Sequence, residues 1–215
     1  MNIGDIYLKY RINKGLREHM VRVAAVAQLI CDKSTVELDI KNIVTACLVH
    51  DMGNLIKAKM DSMPELYEPE GIAYWTQVQV EMKEQYGADE HTATVAIVNE
   101  IAPGAKVLHY VFDAIGTENT AKVHADESLG AKIATYSDMR VGPFGIISIQ
   151  ERMEDLRSRY ISRNKPGFST EDINKREWML EEIESVIFAN SNIAASDITD
   201  ESTQSLQKNL LDWEV

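Results

Sequence analysis

With 215 residues, the chain is long enough for one well-buried helical domain, or a domain with an appendage, and short for two independent catalytic domains. Its 45% hydrophobic and 26% charged residues belong to an ordinary globular protein and exclude a collagen, a disulfide scaffold or a disordered chain. A formal net charge of −12 repels a long nucleic acid over most of the surface, yet leaves room for small anions wherever a bound divalent cation and a few Arg or Lys residues reverse the local potential.

In chain order, residues 1–14 contain no apolar stretch resembling a signal peptide, and no later run approaches the roughly 18 apolar residues that cross a bilayer. A cytoplasmic protein without membrane association is therefore expected. Leu16, Met20, Val23, Ala27 and Ile30 recur at steps of three or four and predict an amphipathic helix over 16–31. Asp39 is a good N-cap for a second helix through Ile40, Ile43, Val44, Cys47 and Leu48 to Gly53, with His50 and Asp51 in its last turn. Cys31 and Cys47 fall among apolar residues at helical spacing, which favours reduced core thiols. Residues 61–71, rich in Pro, Glu and Asp, read as a loop or short irregular helices bordering a pocket.

Further helices are predicted over 74–86, 90–102 and 106–115, stopped by Gly87, by Pro103 and Gly104, and by Gly116. Another spans 127–139 with Asp138 in its last turn, and Gly142-Pro143-Phe144-Gly145 after it reads as a turn, since it lacks the strand–loop–helix context of a phosphate-binding loop. Ser148 and Glu151 form a capping-box signature for a helix running to about Arg163, and Pro166 and Gly167 punctuate it. A helix over 171–189 and a terminal amphipathic piece ending in Trp213 complete an all-α chain with no alternating run that demands a sheet. The expected division is a domain over 1–165 and a C-terminal helical extension over 166–215 that packs on the core or on a second subunit, with a homodimer as one form.

A divalent metal in a hydrolase takes nitrogen and oxygen ligands from several elements and keeps a position open. The doublet His50-Asp51 ends an apolar run; His19 lies beside the apolar stripe of its helix, three residues after Leu16 and four before Val23. Asp138 stands beside Met139 in a comparable position, so three helices offer ligands to one point. A lone inward His or Asp is more often a hydrogen-bonded core residue or a cap than a ligand, so order and context carry the weight. REHMVRVAAVAQLI around His19, VTACLVHDMGNLIK around the doublet and AKIATYSDMRVGPFGI around Asp138 together resemble the HD-domain superfamily of metal-dependent phosphohydrolases over about residues 16–160.

The resemblance implies a helical bundle in which His19, His50, Asp51 and Asp138 coordinate one divalent metal: manganese, cobalt, nickel, iron, zinc or magnesium. Two imidazoles favour a borderline transition ion over magnesium. It implies hydrolysis of a phosphoester or phosphoanhydride of a nucleotide or other small phosphorylated metabolite, with Asp51 both binding metal and orienting the water. Such chemistry wants fixed cations. Lys57 and Arg140 are the first candidates for a catalytic role, and Arg17, Arg22, Lys132 and His91 for substrate binding, although a surface Lys or Arg is usually a solvated charge.

Asn54 stands where several relatives carry a lysine, or an acidic residue nearby, and it can act neither as a general acid nor as a cationic clamp. His91, His109 and His124 occupy the interval where some relatives hold a second metal, and His91, opening its helix, is the best placed. Tyr67, Tyr74 and Trp75 could stack on a base but more often close a core. Two other functions fit the same motifs: a metal- or nucleotide-binding HD sensor module without turnover, and a two-iron HD-type oxygenase.

Overall fold

Side-chain caps set most helix starts. In the computed structural model, which describes residues 1–161 and 166–215, Asn2 opens α1 (Ile3–Lys9), Asn13 opens α2 (Lys14–Asp32) and Asp39 opens α3 (Ile40–Val49), each accepting from the backbone N–H three residues on. Short 3-10 turns at Asn54–Lys57, Met60–Ser62 and Pro64–Tyr67 lead to α4 (Gly71–Tyr86), which ends at Gly87 with φ 92°. Asp89 caps α5 (Glu90–Ile101); α6 (Lys106–Phe112) and α7 (Thr120–Ala125) follow, and Ser128 caps α8 (Leu129–Met139). The Ser148–Glu151 capping box opens α9 (Ile149–Leu156), which runs into a π turn at Arg157–Ile161. Ser169 and Asp172 form the same box for α10 (Thr170–Ala189), and α11 (Asp200–Asn209) is followed by a 3-10 turn at Leu210–Asp212. The described residues contain isolated bridges but no strand, so the fold is all-α. None of their helices is long and apolar enough to cross a membrane.

The core is built on α2, whose Met20, Val23, Ala24, Ala27 and Ile30 are fully buried. Small side chains at Ala24, Ala25 and Ala27 keep the helix surface low, and α3, α8 and α11 pack on it. In turn α3 packs on α6 and α8, and α10 on α7, α8 and α9. A smaller apolar cluster of Leu55, Ile56, Met60, Tyr67, Trp75, Val78, Met82 and Ala93 fastens α4 and the 3-10 turns to α5. Trp75 and Tyr67 are thus core members, while Tyr74 stands exposed, edge-on to Trp75.

The structure adds to and changes these expectations. Residues 1–14, to which no element was assigned, carry α1, anchored where Tyr7 Oη donates to the Leu48 carbonyl at 2.6 Å. Helix α6 ends at Phe112, short of 115, and α7 occupies a segment left unassigned; six residues are too few to display a helical period. Most importantly, α3 ends at Val49, so His50 is its C-cap and Asp51 lies beyond the last turn. Gly53 is the reason. A Cβ there would lie 2.3 Å from the Glu90 carbonyl oxygen and 2.7 Å from Thr94 Oγ1, and its N–H donates to Thr94 Oγ1 at 2.9 Å, so the chain turns off the helix axis to press on α5. The expected helix end near Arg163 and the domain boundary at 165 lie outside the described residues.

Candidate metal centre

Elements far apart in sequence bring four side chains together. His19 on α2 places Nε2 3.2 Å from Asp138 Oδ1, at the end of α8, and 3.7 Å from Asp51 Oδ2. His50 Nε2 stands 3.6 Å from each of the same two oxygens. Ligand atoms of His19, His50 and Asp51 all lie within 4.8 Å of one another. Donors bound about 2.1 Å from a common centre stand roughly 3–4 Å apart, which is the spacing here.

The electrostatics fit a cation. Burial pulls the pKa of His50 down, but Asp51, Asp138 and the Cys47 carbonyl outweigh it and carry it up to about 9. Burial would likewise raise Asp138, yet His19 and His50 hold its carboxyl well below the usual carboxylate range. His50 supplies the decisive detail. Its Nδ1 lies 2.8 Å from the Cys47 carbonyl oxygen, so that nitrogen keeps its proton when a cation displaces the one on Nε2, and Nε2 faces the cluster. That Nε2 is buried and, among the described residues, has no acceptor within 3.5 Å, its nearest being the two carboxylate oxygens at 3.6 Å, a spacing wider than a direct hydrogen bond. A divalent cation is the partner that four such donors suit.

Two cavities meet at the cluster. One, of about 610 Å³, is lined by His50, Asp51 and Asp138 together with Lys57, Glu90, His91 and Asp113. The other, of about 360 Å³, is lined by His19, Asp51 and Asp138 and extends past Tyr67 and Pro143 to Arg152, Arg159, Tyr160 and Phe168. Asn54 and Lys57 border both. Lys57 Nζ pairs with Glu90 Oε1 at 3.0 Å; burial lowers its pKa, but Asp51, Glu90 and Glu118 outweigh that and raise it. His91 reaches the larger cavity but not the cluster: its ring stacks on Phe112 and Nε2 lies 3.9 Å from Asp113 Oδ1. His109 and His124 line neither cavity.

The remaining sequence-predicted cations, expected at the site, are placed elsewhere by the structure. Arg140 is buried, donating from Nε to the Ile147 carbonyl at 2.6 Å, from Nη1 to Tyr136 Oη and the Ala195 carbonyl, and from Nη2 to the Ile198 carbonyl. Lys132 spends its ammonium on the carbonyls of Val123, His124 and Asp126, closing the C-terminus of α7. Arg17 lines a separate groove with Lys14 and Lys208, and Arg22 sits by Glu18 at 4.0 Å, outside both cavities. For Arg17 and Arg140 the cause is helical geometry: each stands two positions from a ligand and so faces the opposite side of the helix. Arg152 and Arg159, which do line the cavity, went unread, although their seven-residue spacing after the Ser148 cap places both on one helix face. Gly142 and Gly145 form the expected turn, closed by Gly142 N–H donating to the Gly145 carbonyl at 2.8 Å. Both cysteines are free and buried.

A family model described as HD domain matches residues 16–163. No curated protein and no solved structure matches the chain.

Proposed function

This chain belongs to the HD-domain family, and we propose that it is a metal-dependent phosphohydrolase acting on a nucleotide or another small phosphorylated metabolite, with His19, His50, Asp51 and Asp138 as the ligands of one divalent ion. The observation that carries this reading is His50 Nε2: buried, without a hydrogen-bond partner within 3.5 Å among the described residues, and aimed among two carboxylates and a second imidazole.

When bound, such an ion supplies a water of lowered pKa and polarises a phosphoryl oxygen. The protein groups divide the remaining work. The Cys47 carbonyl holds the His50 tautomer, and Asp138, buried against both histidines, fixes their spacing. Asp51, with 24% of its side chain exposed, borders both cavities, so its carboxylate orients the attacking water and accepts its proton. Lys57 at the shared rim offers an ammonium to phosphoryl oxygens in exchange for Glu90. Cavities of about 610 and 360 Å³ admit a small metabolite, and the net charge of −12 disfavours a polymeric phosphodiester.

The test is phosphate release from a panel of nucleotides and sugar phosphates with manganese, cobalt, nickel, magnesium and zinc supplied separately, beside elemental analysis of the purified protein. Release that requires metal and vanishes in Asp51→Ala supports the reading. Bound metal without release from any substrate would sink it in favour of a sensor module, and two irons with the absorbance of a bridged pair would sink it in favour of an oxygenase.

A further inference from the structure

We propose that Arg152 and Arg159 form an oxyanion subsite in the smaller cavity, and that the substrate carries a second, non-reacting phosphoryl group that binds there. The proposal rests on the reading of the four-residue cluster as the phosphoryl centre, because that cluster and the two arginines line one cavity.

Two guanidinium groups share a single carboxylate oxygen. Arg152 Nη1 lies 3.6 Å from Asp155 Oδ2, and Arg159 Nη2 bonds to that same atom. One positive charge is left over. Moreover, the Nε–H groups of both arginines are buried and have no acceptor among the described residues. An unmet buried donor is uncommon in native proteins, and two on paired side chains lining one cavity point to an acceptor that arrives from outside. The fork of Nε and Nη is the geometry that grips two oxygens of a phosphoryl group. A ligand oxyanion that draws the guanidiniums off Asp155 supplies what that carboxylate leaves unmet.

The setting favours an anion at this place and not at others. Elsewhere the cavity is lined by Asp51, Glu118 and Asp138, and its other cation near the cluster, Lys57, is paired with Glu90. Arg159 is held in place by the Tyr160 ring, with Cζ 5.6 Å from its centroid. Its anchor is the π turn at Arg157–Ile161, a local departure from α geometry that recurs at functional sites. The substrate class that follows is a small phosphoester with two phosphoryl groups, one for the cluster and one for the arginines.

The experiment is a calorimetric titration of the full chain with inorganic phosphate, in a chelating buffer so that binding is read without metal or turnover, with acetate as a second titrant. Replacing either arginine by lysine keeps the charge and removes the fork; Arg152→Lys and Arg159→Lys should each weaken phosphate by about fivefold or more. Asp155→Asn removes the competing carboxylate and should tighten phosphate by roughly threefold or more, a gain that a purely structural ion pair cannot produce. Lys208→Gln, in the separate groove, should change nothing. Phosphate binding that is absent, or indifferent to all three changes at the pair, overturns the subsite; acetate bound as tightly as phosphate overturns its assignment to a phosphoryl group. Because no metal takes part, phosphate bound at the arginines with no release in the metal panel would defeat the hydrolase reading and leave the oxyanion subsite standing, and the opposite pattern would do the reverse.

Discussion

At the two ends of α8, the helix that brings Asp138 to the cluster, the buried cations are taken up by the protein itself. Arg140 meets three carbonyls and a phenol, and Lys132 meets three carbonyls. Along α9 and the π turn, Arg152 and Arg159 divide one carboxylate oxygen between them and leave both Nε–H groups without an acceptor among the described residues. The two regions separate structure from binding by hydrogen-bond satisfaction more sharply than by burial or closeness in sequence. A cation whose donors the protein itself meets holds the fold; one left short is available to a ligand.

The comparison is tested most severely at His50, the group left short beside the satisfied region. His50→Ala should reduce metal retained after chelator-free gel filtration to background and abolish any phosphate release, while circular dichroism shows the helix content intact. Retained metal and activity would mean that the cluster is not the site.

Arg140 and Arg159 give the next largest contrast. Arg140→Met strips donors from the Ile147, Ala195 and Ile198 carbonyls in the buried region that joins α8 to the C-terminal segment, and should cost about 3–4 kcal/mol in urea unfolding. Arg159→Met breaks a partly exposed pair with Asp155 and should cost under about 1 kcal/mol. Equal costs would erase the distinction between the two regions.

Gly53 tests how the turn after the doublet couples to the cluster. An alanine Cβ would collide with the backbone of α5, so Gly53→Ala should lose about 2 kcal/mol and weaken metal binding by moving His50 and Asp51 off their positions. A stable variant with unchanged metal affinity would show that the approach to α5 does not set the doublet.

Much of this was legible in the sequence because it depends on period and cap. The stripes of α2 and α8, the Asp39 and Ser148 caps and the all-α architecture are local patterns, and the order His19, His50-Asp51, Asp138 carries the family. The direction of individual side chains was not legible. Arg140 stands two residues from Asp138 and Arg17 two from His19, yet each faces away, because near neighbours on a helix diverge. Arg152 and Arg159 reach the cavity from a helix that follows all four cluster residues in the chain, and only the packed bundle shows that α9 and its π turn border the same space. Helix α1 and α7 were missed since seven and six residues give a period too little length to register.

The smallest expected effect concerns Cys47, which lies directly behind His50. Its carbonyl, not its thiol, holds Nδ1, so Cys47→Ala should leave metal affinity within about twofold while the small cavity costs about 1 kcal/mol. The thiol itself is inert for a physical reason: burial pushes Cys31 up to about 12 and raises Cys47 well above its ordinary value, so neither holds appreciable thiolate at pH 8. A chromogenic disulfide reagent at pH 8 should therefore label the native chain at the rate of global unfolding, and both cysteines at once in urea. Fast labelling of Cys47 in the native chain, or a large loss of metal in Cys47→Ala, would show that the wall behind the cluster opens, and the contrast between a closed, satisfied region and an open, under-satisfied one would fail there.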